Sequence, residues 1–307
     1  MSWEECRFLT CSVLPVRVAC DLACAFCFSR SSVSALERPM TAWSDEALRG
    51  YYGWARSRGA TRLVVTGGGE PLLLPDRALH ALRVGREFFG ERALFTNGTR
   101  LDAELARALR AEGLSYLCWS RHHEDDARNR AVMGDGAPAA DDVLGALGDL
   151  PARATCVMAK GFVETREDAL RYIRSLRARG VREFTLKHTY VAWARSLFRG
   201  SPQDAWARAH RVAEDPFAAE GELVGRLPWG PEVRRFEGVQ ACFYWEPDPA
   251  WELTNRLCRS SNLLSDGAVY ASLEDARSRL SAPTSWTPSS ERSSPTARSS
   301  PWATTRG

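Results

Sequence analysis

Hydrophobic and polar positions alternate in a repeating way along the first two thirds of the chain. Between residues 13 and 188, short β-branched runs are separated by longer stretches in which apolar side chains recur every three or four positions. The short runs predict strands and the longer spacing predicts amphipathic helices. The predicted strands are 13–19, 62–66, 93–96, 114–120, 154–158 and 183–187, and the predicted helices are 44–58, 77–89, 103–112 and 166–179.

Strands that alternate with helices are typical of a parallel sheet with an α/β architecture. Six such units are fewer than the eight of a closed barrel. We therefore predict a partial (βα)6 barrel of TIM type with a small irregular C-terminal extension. Functional groups of such a barrel lie at the C-terminal ends of its strands.

The repeat is lost after about residue 200, which divides the chain into three predicted parts. Residues 1–200 form the barrel, and residues 201–280, rich in Trp and Pro, form an extension or substrate lid over its mouth. Residues 281–307 consist mainly of Ser, Pro, Thr and Arg with almost no aliphatic side chain. Such a composition buries too little apolar surface to offset the entropy of ordering, so this tail is predicted to be disordered.

Composition narrows the class of protein. The 307 residues carry 41 Lys and Arg against 38 Asp and Glu, and the basic residues are spread along the chain rather than clustered. This distribution argues against nucleic acid as a partner. Neither a signal peptide nor an apolar run of roughly 20 residues is present, so we expect a cytoplasmic protein with no membrane span.

The sharpest chemical motif is a C-x3-C-x2-C spacing formed by Cys20, Cys24 and Cys27 directly after the first predicted strand. Three thiolates on one loop can bind three corners of a cubane iron–sulfur cluster and leave the fourth iron open to another ligand. We expect Phe26 to shield the cluster and Arg30 to cover its solvent side.

This motif resembles the one that defines the radical S-adenosylmethionine (SAM) superfamily, and the segment Gly68, Gly69, Glu70 and Pro71 is similar to that superfamily's Gly-Gly-Glu-Pro element. The resemblance implies a 4Fe-4S cluster held by the three cysteines, with SAM chelating the open iron. It implies reductive cleavage of SAM to a 5′-deoxyadenosyl radical, with electrons from a donor such as flavodoxin or ferredoxin. Further SAM contacts implied at strand ends are Thr96, Asn97, Ser120 and Arg121, with His122 beside them.

Two simpler interpretations of the cysteines are a zinc site and buried core thiols. Zinc sites complete four ligands, commonly with a second Cys or His pair. No such pair follows Cys27 within the next fifty residues. A non-catalytic iron–sulfur or zinc-binding protein is therefore the alternative from a different functional class.

A second cysteine-bearing segment runs from Cys258 to Tyr270 and reads as a β-hairpin around Asp266 and Gly267. It resembles the start of a SPASM or twitch extension, although Ala271 stands where that pattern has its second cysteine. Two roles for Cys258 follow from the resemblance: a ligand of an auxiliary cluster, or a catalytic donor of a hydrogen atom. The other cysteines considered for an auxiliary cluster are Cys242, Cys6, Cys11, Cys118 and Cys156.

The substrate is left open between two classes within natural product biosynthesis. A sugar or aminoglycoside-type small molecule would be epimerised, which is the outcome favoured if Cys258 is a hydrogen-atom donor. A ribosomal peptide modified at a side chain or backbone is the alternative. Polar and aromatic residues predicted as substrate contacts are Glu246, Trp251, Glu252, Asn255, Arg259, His188, Tyr190 and Lys160.

Overall fold

The fold was analysed in a computed structural model that describes residues 2–27, 29, 32–36, 38–188 and 196–281. Arg30 and Tyr190 lie outside the described residues, as does the predicted tail beyond Ser281. In the described part of the chain, no helix combines the length and the apolar character needed to cross a bilayer.

The described residues form one sheet of 12 strands. Their bounds are β1 Arg7–Val13, β2 Arg62–Val65, β3 Glu91–Thr96, β4 Tyr116–Ser120, β5 Ala152–Val157, β6 Glu183–Lys187, β7 Glu222–Arg226, β8 Glu232–Phe236, β9 Val239–Tyr244, β10 Leu257–Leu263, β11 Val269–Tyr270 and β12 Arg279–Leu280. The order across the sheet is β12-β11-β10-β1-β2-β3-β4-β5-β6-β9-β8-β7. The α/β class and the unclosed barrel predicted from the pattern are confirmed.

Eight α-helices are found within the described residues. They are α1 Asp45–Ser57, α2 Pro75–Gly85, α3 Ala103–Ala111, α4 Asp126–Met133, α5 Ala140–Leu147, α6 Arg166–Ala178, α7 Pro202–Ala209 and α8 Pro249–Asn255. Ser44 caps α1 as the sequence predicts, because its hydroxyl accepts the backbone N–H of Ala47 at 3.1 Å. Such side-chain caps satisfy amide groups that the first turn leaves unpaired.

The first strand lies earlier than predicted. It spans Arg7–Val13, whereas the predicted strand 13–19 is a loop that leads to the cysteines. Pro15 has no N–H to give to a sheet, which weakens a strand at this position. Leu14 and Val16 are buried within the loop and produce the apolar run that suggested a strand.

The segment after residue 200 is more regular than its sequence suggests. β10 pairs in parallel with β1, and β9 pairs in parallel with β6, so eight mutually parallel strands run from β10 through β1–β6 to β9. β11 and β12 at one end, and β8 and β7 at the other, join by antiparallel pairing. The predicted hairpin around Gly267 is the short β10–β11 pair. The extension therefore completes both flanks of the barrel sheet.

A buried tyrosine joins the neighbouring strands β1 and β10. The Tyr51 hydroxyl, on α1, donates to the Ser12 carbonyl of β1 at 3.0 Å and lies 2.9 Å from the Ser261 hydroxyl of β10. Tyr51 is only 3% exposed, so water cannot replace these bonds. One helix thus holds the first strand beside a strand that lies about 250 residues later in the chain.

Replacing this hydroxyl tests the arrangement. We expect Tyr51→Phe to lower the free energy of unfolding by about 1–3 kcal/mol, because two buried polar groups each lose a partner. Chemical denaturation measures the change. Ser57→Ala is the matched control, because the exposed Ser57 hydroxyl bonds only within its own helix, and a change within about 0.5 kcal/mol is expected there. Equal effects of the two substitutions would contradict the assigned role of Tyr51.

Candidate active site

A cavity of about 860 Å³ opens at the C-terminal ends of the parallel strands. Cys20, Cys24 and Cys27 line it, together with Gly67, Gly69 and Glu70 from the segment that follows β2. The cysteine motif and the glycine motif, which are some 40 residues apart in the chain, therefore face one space. This is the edge at which a parallel α/β sheet carries its functional groups.

The cysteine loop is anchored to the end of α4. The backbone N–H of Ala23 donates to the Met133 carbonyl at 3.0 Å, and that of Cys27 donates to the Cys24 carbonyl at 3.0 Å, closing a turn. Burial raises the pKa of Cys24, and the nearby Cys27 and Cys20 thiols raise it further. Because close thiols resist simultaneous ionisation, holding all three as thiolates requires a cationic partner between them.

The glycines following β2 let the backbone of this segment touch the cysteine loop. A Cβ added to Gly69 would lie 1.7 Å from the Ala19 carbonyl oxygen, and one added to Gly68 would lie 2.9 Å from that of Val16. The neighbouring Glu70 N–H donates to the same Ala19 carbonyl at 2.8 Å. Only a residue without a side chain fits such an approach. Gly68 itself does not line the cavity, so its contribution is this close packing.

The Glu70 carboxylate joins the ends of β2 and β3. It accepts the Thr96 hydroxyl at 2.7 Å, the Asn97 backbone N–H at 2.8 Å and the Leu72 backbone N–H at 3.0 Å. Glu70 is 3% exposed, and burial raises its pKa to about 7 in spite of these three donors. In this arrangement the carboxylate is already occupied by protein donors, so its first role is to position Thr96 and Asn97. Pro71 follows it at the cavity wall.

Asp21 is a site residue that the sequence analysis missed. Its carboxylate accepts the Asn97 side-chain amide at 3.0 Å and the Thr99 hydroxyl at 2.7 Å, and it pairs with Arg100 at 3.1 Å. The same Asn97 amide lies 3.6 Å from the Cys20 sulfur. Asp21 therefore fixes the first cysteine against the end of β3. Its position directly after Cys20 was the sequence signal for this role.

Phe26 lies on the wall of the cavity that the cysteines also line, and its role in shielding a cluster stays a prediction. Its ring meets the His122 ring edge-on at a centroid distance of 4.6 Å, and both residues line the cavity with Ser120. Burial lowers the pKa of His122 to about 3, and its Nδ1 accepts the Val157 backbone N–H. His122 is accordingly a neutral wall of the site.

Arg121 does not take the position expected for a cofactor contact. Its side chain is fully buried, pairs with Asp126 at 2.5 Å and donates to the Glu124 carbonyl at 3.0 Å. It is not among the residues that line the cavity. Because neighbouring residues on a strand point to opposite faces, Ser120 faces the cavity and Arg121 does not.

Cys258 is likewise separated from the cavity. It is fully buried, does not line the cavity and lies in hydrogen-bond contact with the buried thiol of Cys6. Radical quenching requires a donor sulfur that faces the substrate, so this placement removes the basis for Cys258 as a catalytic hydrogen-atom donor. The other cysteines considered for an auxiliary cluster, Cys6, Cys11, Cys118, Cys156 and Cys242, are also buried.

Predicted substrate contacts divide into two groups. Glu246, Arg259 and His188 line the cavity. Four other described residues do not line it. Trp251 packs on Trp229, and Glu252 accepts the Arg259 backbone N–H. Asn255 caps the end of α8 through the Trp251 carbonyl, and Lys160 is exposed. The pKa of Glu252 is raised to about 8 by its burial.

The placement of the three cysteines on one loop that lines a cavity is compatible with a cubane cluster. A lone metal needs several ligands that converge on one point, and within the described ranges no three His, Cys, Asp or Glu side chains do so. In a cubane cluster each thiolate binds a separate iron at its own corner. Three cysteines on one loop at a shared cavity fit that requirement.

A substitution at Gly69 tests whether the close approach sets the cysteine loop. We expect Gly69→Ala to lower the free energy of unfolding by about 1–3 kcal/mol through overpacking, and to lower the iron bound per chain after anaerobic reconstitution with iron and sulfide. Gly145→Ala in α5 is the control, because nothing lies within 4 Å of its added Cβ. That exchange should stabilise the chain by about 0.5–1 kcal/mol. Normal iron content in Gly69→Ala would refute the proposed contact.

Comparison with solved structures finds a similar fold in SuiB of Streptococcus suis. SuiB bound to S-adenosylmethionine matches with a TM-score of 0.54 at 14% identity, over 87% of this chain and 60% of SuiB. SuiB bound to its precursor peptide SuiA matches with a TM-score of 0.53 at 14% identity and the same coverage. At such identities the likeness shows the fold, and this chain spans about 60% of the length of SuiB.

No curated protein sequence matches the chain significantly. The sequence profile of the radical SAM superfamily, whose members bind SAM and a 4Fe-4S cluster, matches residues 14–192, more than half of the chain. The match ends before Cys258, so the likeness to a SPASM or twitch extension stays a prediction. The matched range contains the cysteine loop, the glycine segment and the strand ends described above, and the chain belongs to the radical SAM superfamily.

Proposed function

We propose that this protein cleaves SAM reductively and uses the resulting radical to take a hydrogen atom from a polar natural-product substrate bound in the same cavity. The observation that carries the proposal is that Cys20, Cys24 and Cys27 share one cavity with Gly67, Gly69 and Glu70 and with polar side chains of the barrel strands. Natural-product biosynthesis is the biological setting that this chemistry suggests.

The bound 4Fe-4S cluster and SAM would supply the electron and the carbon radical. The protein's own residues would position and protect these groups. Cys20, Cys24 and Cys27 would hold the cluster, with Asp21 and Asn97 fixing Cys20. Gly67 and Gly69 line the cavity with partly buried backbone, and the Phe26 and His122 rings form a wall on another side.

The interior of the barrel supports a polar substrate. Hydroxyl and amide side chains project into the cavity from four of the parallel strands, namely Thr10, Ser12, Thr155, Thr185, Ser260 and Asn262. The Thr155 hydroxyl is buried and makes no hydrogen bond with the residues that the structure describes. A buried hydroxyl without a partner carries a desolvation cost that a polar ligand would relieve.

Two substrate classes fit such a cavity. Its volume of about 860 Å³ accommodates a sugar-containing small molecule or a few residues of a peptide. The solved complex of SuiB with its precursor peptide favours the peptide class by analogy of fold. Epimerisation of a sugar would require a hydrogen-atom donor other than Cys258.

The decisive experiment measures 5′-deoxyadenosine after anaerobic reconstitution, dithionite reduction and addition of SAM. We expect the wild-type chain to bind about four irons and to release 5′-deoxyadenosine. The triple variant Cys20→Ala, Cys24→Ala, Cys27→Ala should bind no cluster and release none. Cys118→Ala, which alters a buried thiol in β4, is the matched control and should retain both properties. A wild-type chain that holds its cluster yet leaves SAM intact would instead indicate the non-catalytic alternative.

A second substitution addresses Cys258. Because this thiol is buried outside the cavity, we expect Cys258→Ala to leave both iron content and the identity of the product unchanged, with at most a loss of stability of about 1 kcal/mol. Mass spectrometry of the product formed in deuterated water measures its identity and its deuterium content. A changed product, or loss of a solvent-derived deuterium, would restore Cys258 as the donor.

A further inference from the structure

The sheet has a seam between β9 and β10. These two strands are consecutive in the chain, separated by α8, and they flank the cavity at opposite ends of the parallel run. Within the described residues they are not paired with each other. The side chains of Glu246, just after β9, and Arg259, on β10, cross the seam with a contact of 2.5 Å.

Two cations share the single carboxylate of Glu246. Arg259 contacts its Oε2, the Lys187 ammonium lies 3.5 Å from its Oε1, and the Tyr244 hydroxyl donates to Oε2 at 2.8 Å. Burial alone would raise the pKa of Glu246, yet Arg259 and Lys187 hold it below its usual value. Glu246 is therefore an anion, and the group as a whole carries one positive charge in excess.

Both cations remain open to the cavity. The Lys187 side chain is 27% exposed and that of Arg259 is 31% exposed, whereas that of Glu246 is 13% exposed. All three residues line the cavity that the cysteines also line. The Lys187 contact of 3.5 Å is long for an ion pair with a hydrogen bond. The ammonium thus keeps donor capacity for a ligand.

Other charged groups of the cavity do not cancel the excess. Asp215 is acted on by Arg234 and Glu232 rather than by Lys187 or Arg259. Burial and the nearby Arg211 lower the pKa of His188, whose Nε2 accepts from Arg211 at 3.3 Å. Glu252 also acts on Arg259, but burial raises the pKa of Glu252 to about 8, so this carboxyl is mostly neutral at pH 7. Lys187 and Arg259 therefore have Glu246 as their shared counter-charge.

We propose that Lys187 and Arg259, braced by Glu246 and Tyr244 at the β9–β10 seam, bind a carboxylate of the substrate. A monoanion balances the single positive charge, and a planar carboxylate can accept from the guanidinium and the ammonium together. A cationic or amine-bearing substrate group would be repelled. The inference rests on the proposed function in that it names the substrate class of the same cavity.

Lysine side chains can be labelled selectively in this protein, because Lys160 and Lys187 are its two lysines. Reductive methylation with 13C-formaldehyde keeps their charge and labels both together with the α-amino group. The full-length, anaerobically reconstituted protein is then titrated with N-acetylglycine and, separately, with N-acetylglycinamide, which has the same shape and no charge. Lys187→Met assigns the Lys187 resonance, and the exposed Lys160 is the internal control.

We expect a saturable shift of the Lys187 resonance with N-acetylglycine and none with the amide, while Lys160 stays unchanged. Arg259→Gln should weaken this binding about tenfold, the effect of losing one charge-assisted hydrogen bond. An equal shift with the amide, no saturable shift, or undiminished binding in Arg259→Gln would overturn the proposal. SAM cleavage without substrate is assayed on the same wild-type sample, so a failure of the proposed function is recognised separately from a failure of carboxylate binding.

Discussion

The site depends on one close approach between two stretches of backbone. The carbonyl oxygen of Ala19 lies where a Cβ on Gly69 would be and accepts the N–H of Glu70. This contact fixes the cysteine loop on the end of β2, and the Glu70 carboxylate then ties β2 to the end of β3 through Thr96 and Asn97. Because packed backbone cannot move aside as a side chain can, these contacts set the spacing between the cysteines and the strand ends.

What the sequence predicts well is what is encoded locally. The cysteine spacing, the glycine segment and the alternation of strands with helices each lie within a few consecutive residues, so the α/β class and the shared position of both motifs follow from them. The placement of β1 does not follow from such local patterns. Its inward positions include Thr10 and Ser12, whose polarity hides the strand, while the apolar residues Leu14 and Val16 imitate one in the following loop. The β1–β10 pairing joins residues about 250 positions apart, and no local pattern encodes such a contact.

The alternation of side chains along a strand explains why adjacent residues lie in different surroundings. Cys258 and Arg259 are adjacent on β10, as Ser120 and Arg121 are at the end of β4, and in each pair one side chain faces the cavity and the other faces the core. Since a one-residue shift exchanges the faces of a strand, a motif alone cannot tell which of two adjacent polar residues meets the substrate. On β10 the charged residue, Arg259, faces the cavity, whereas after β4 the charged residue, Arg121, faces away from it. Arg259 and Ser120 were each distinguished from their neighbours only by the pairing of strands far apart in sequence.

The two walls of the cavity come from different parts of the chain, and this separates their tasks. The cysteines, the glycine segment and Glu70 belong to the first units of the barrel, within the range shared with the radical SAM superfamily. Glu246 and Arg259 come from strands beyond that range, and Lys187 lies at the last strand within it. In the described structure β9 and β10 are not paired with each other, so no backbone hydrogen bonds join these two strands across the seam. Side-chain ion pairs of Glu246 with Lys187 and Arg259 therefore join this wall across the seam, whereas backbone contacts hold the cysteine loop.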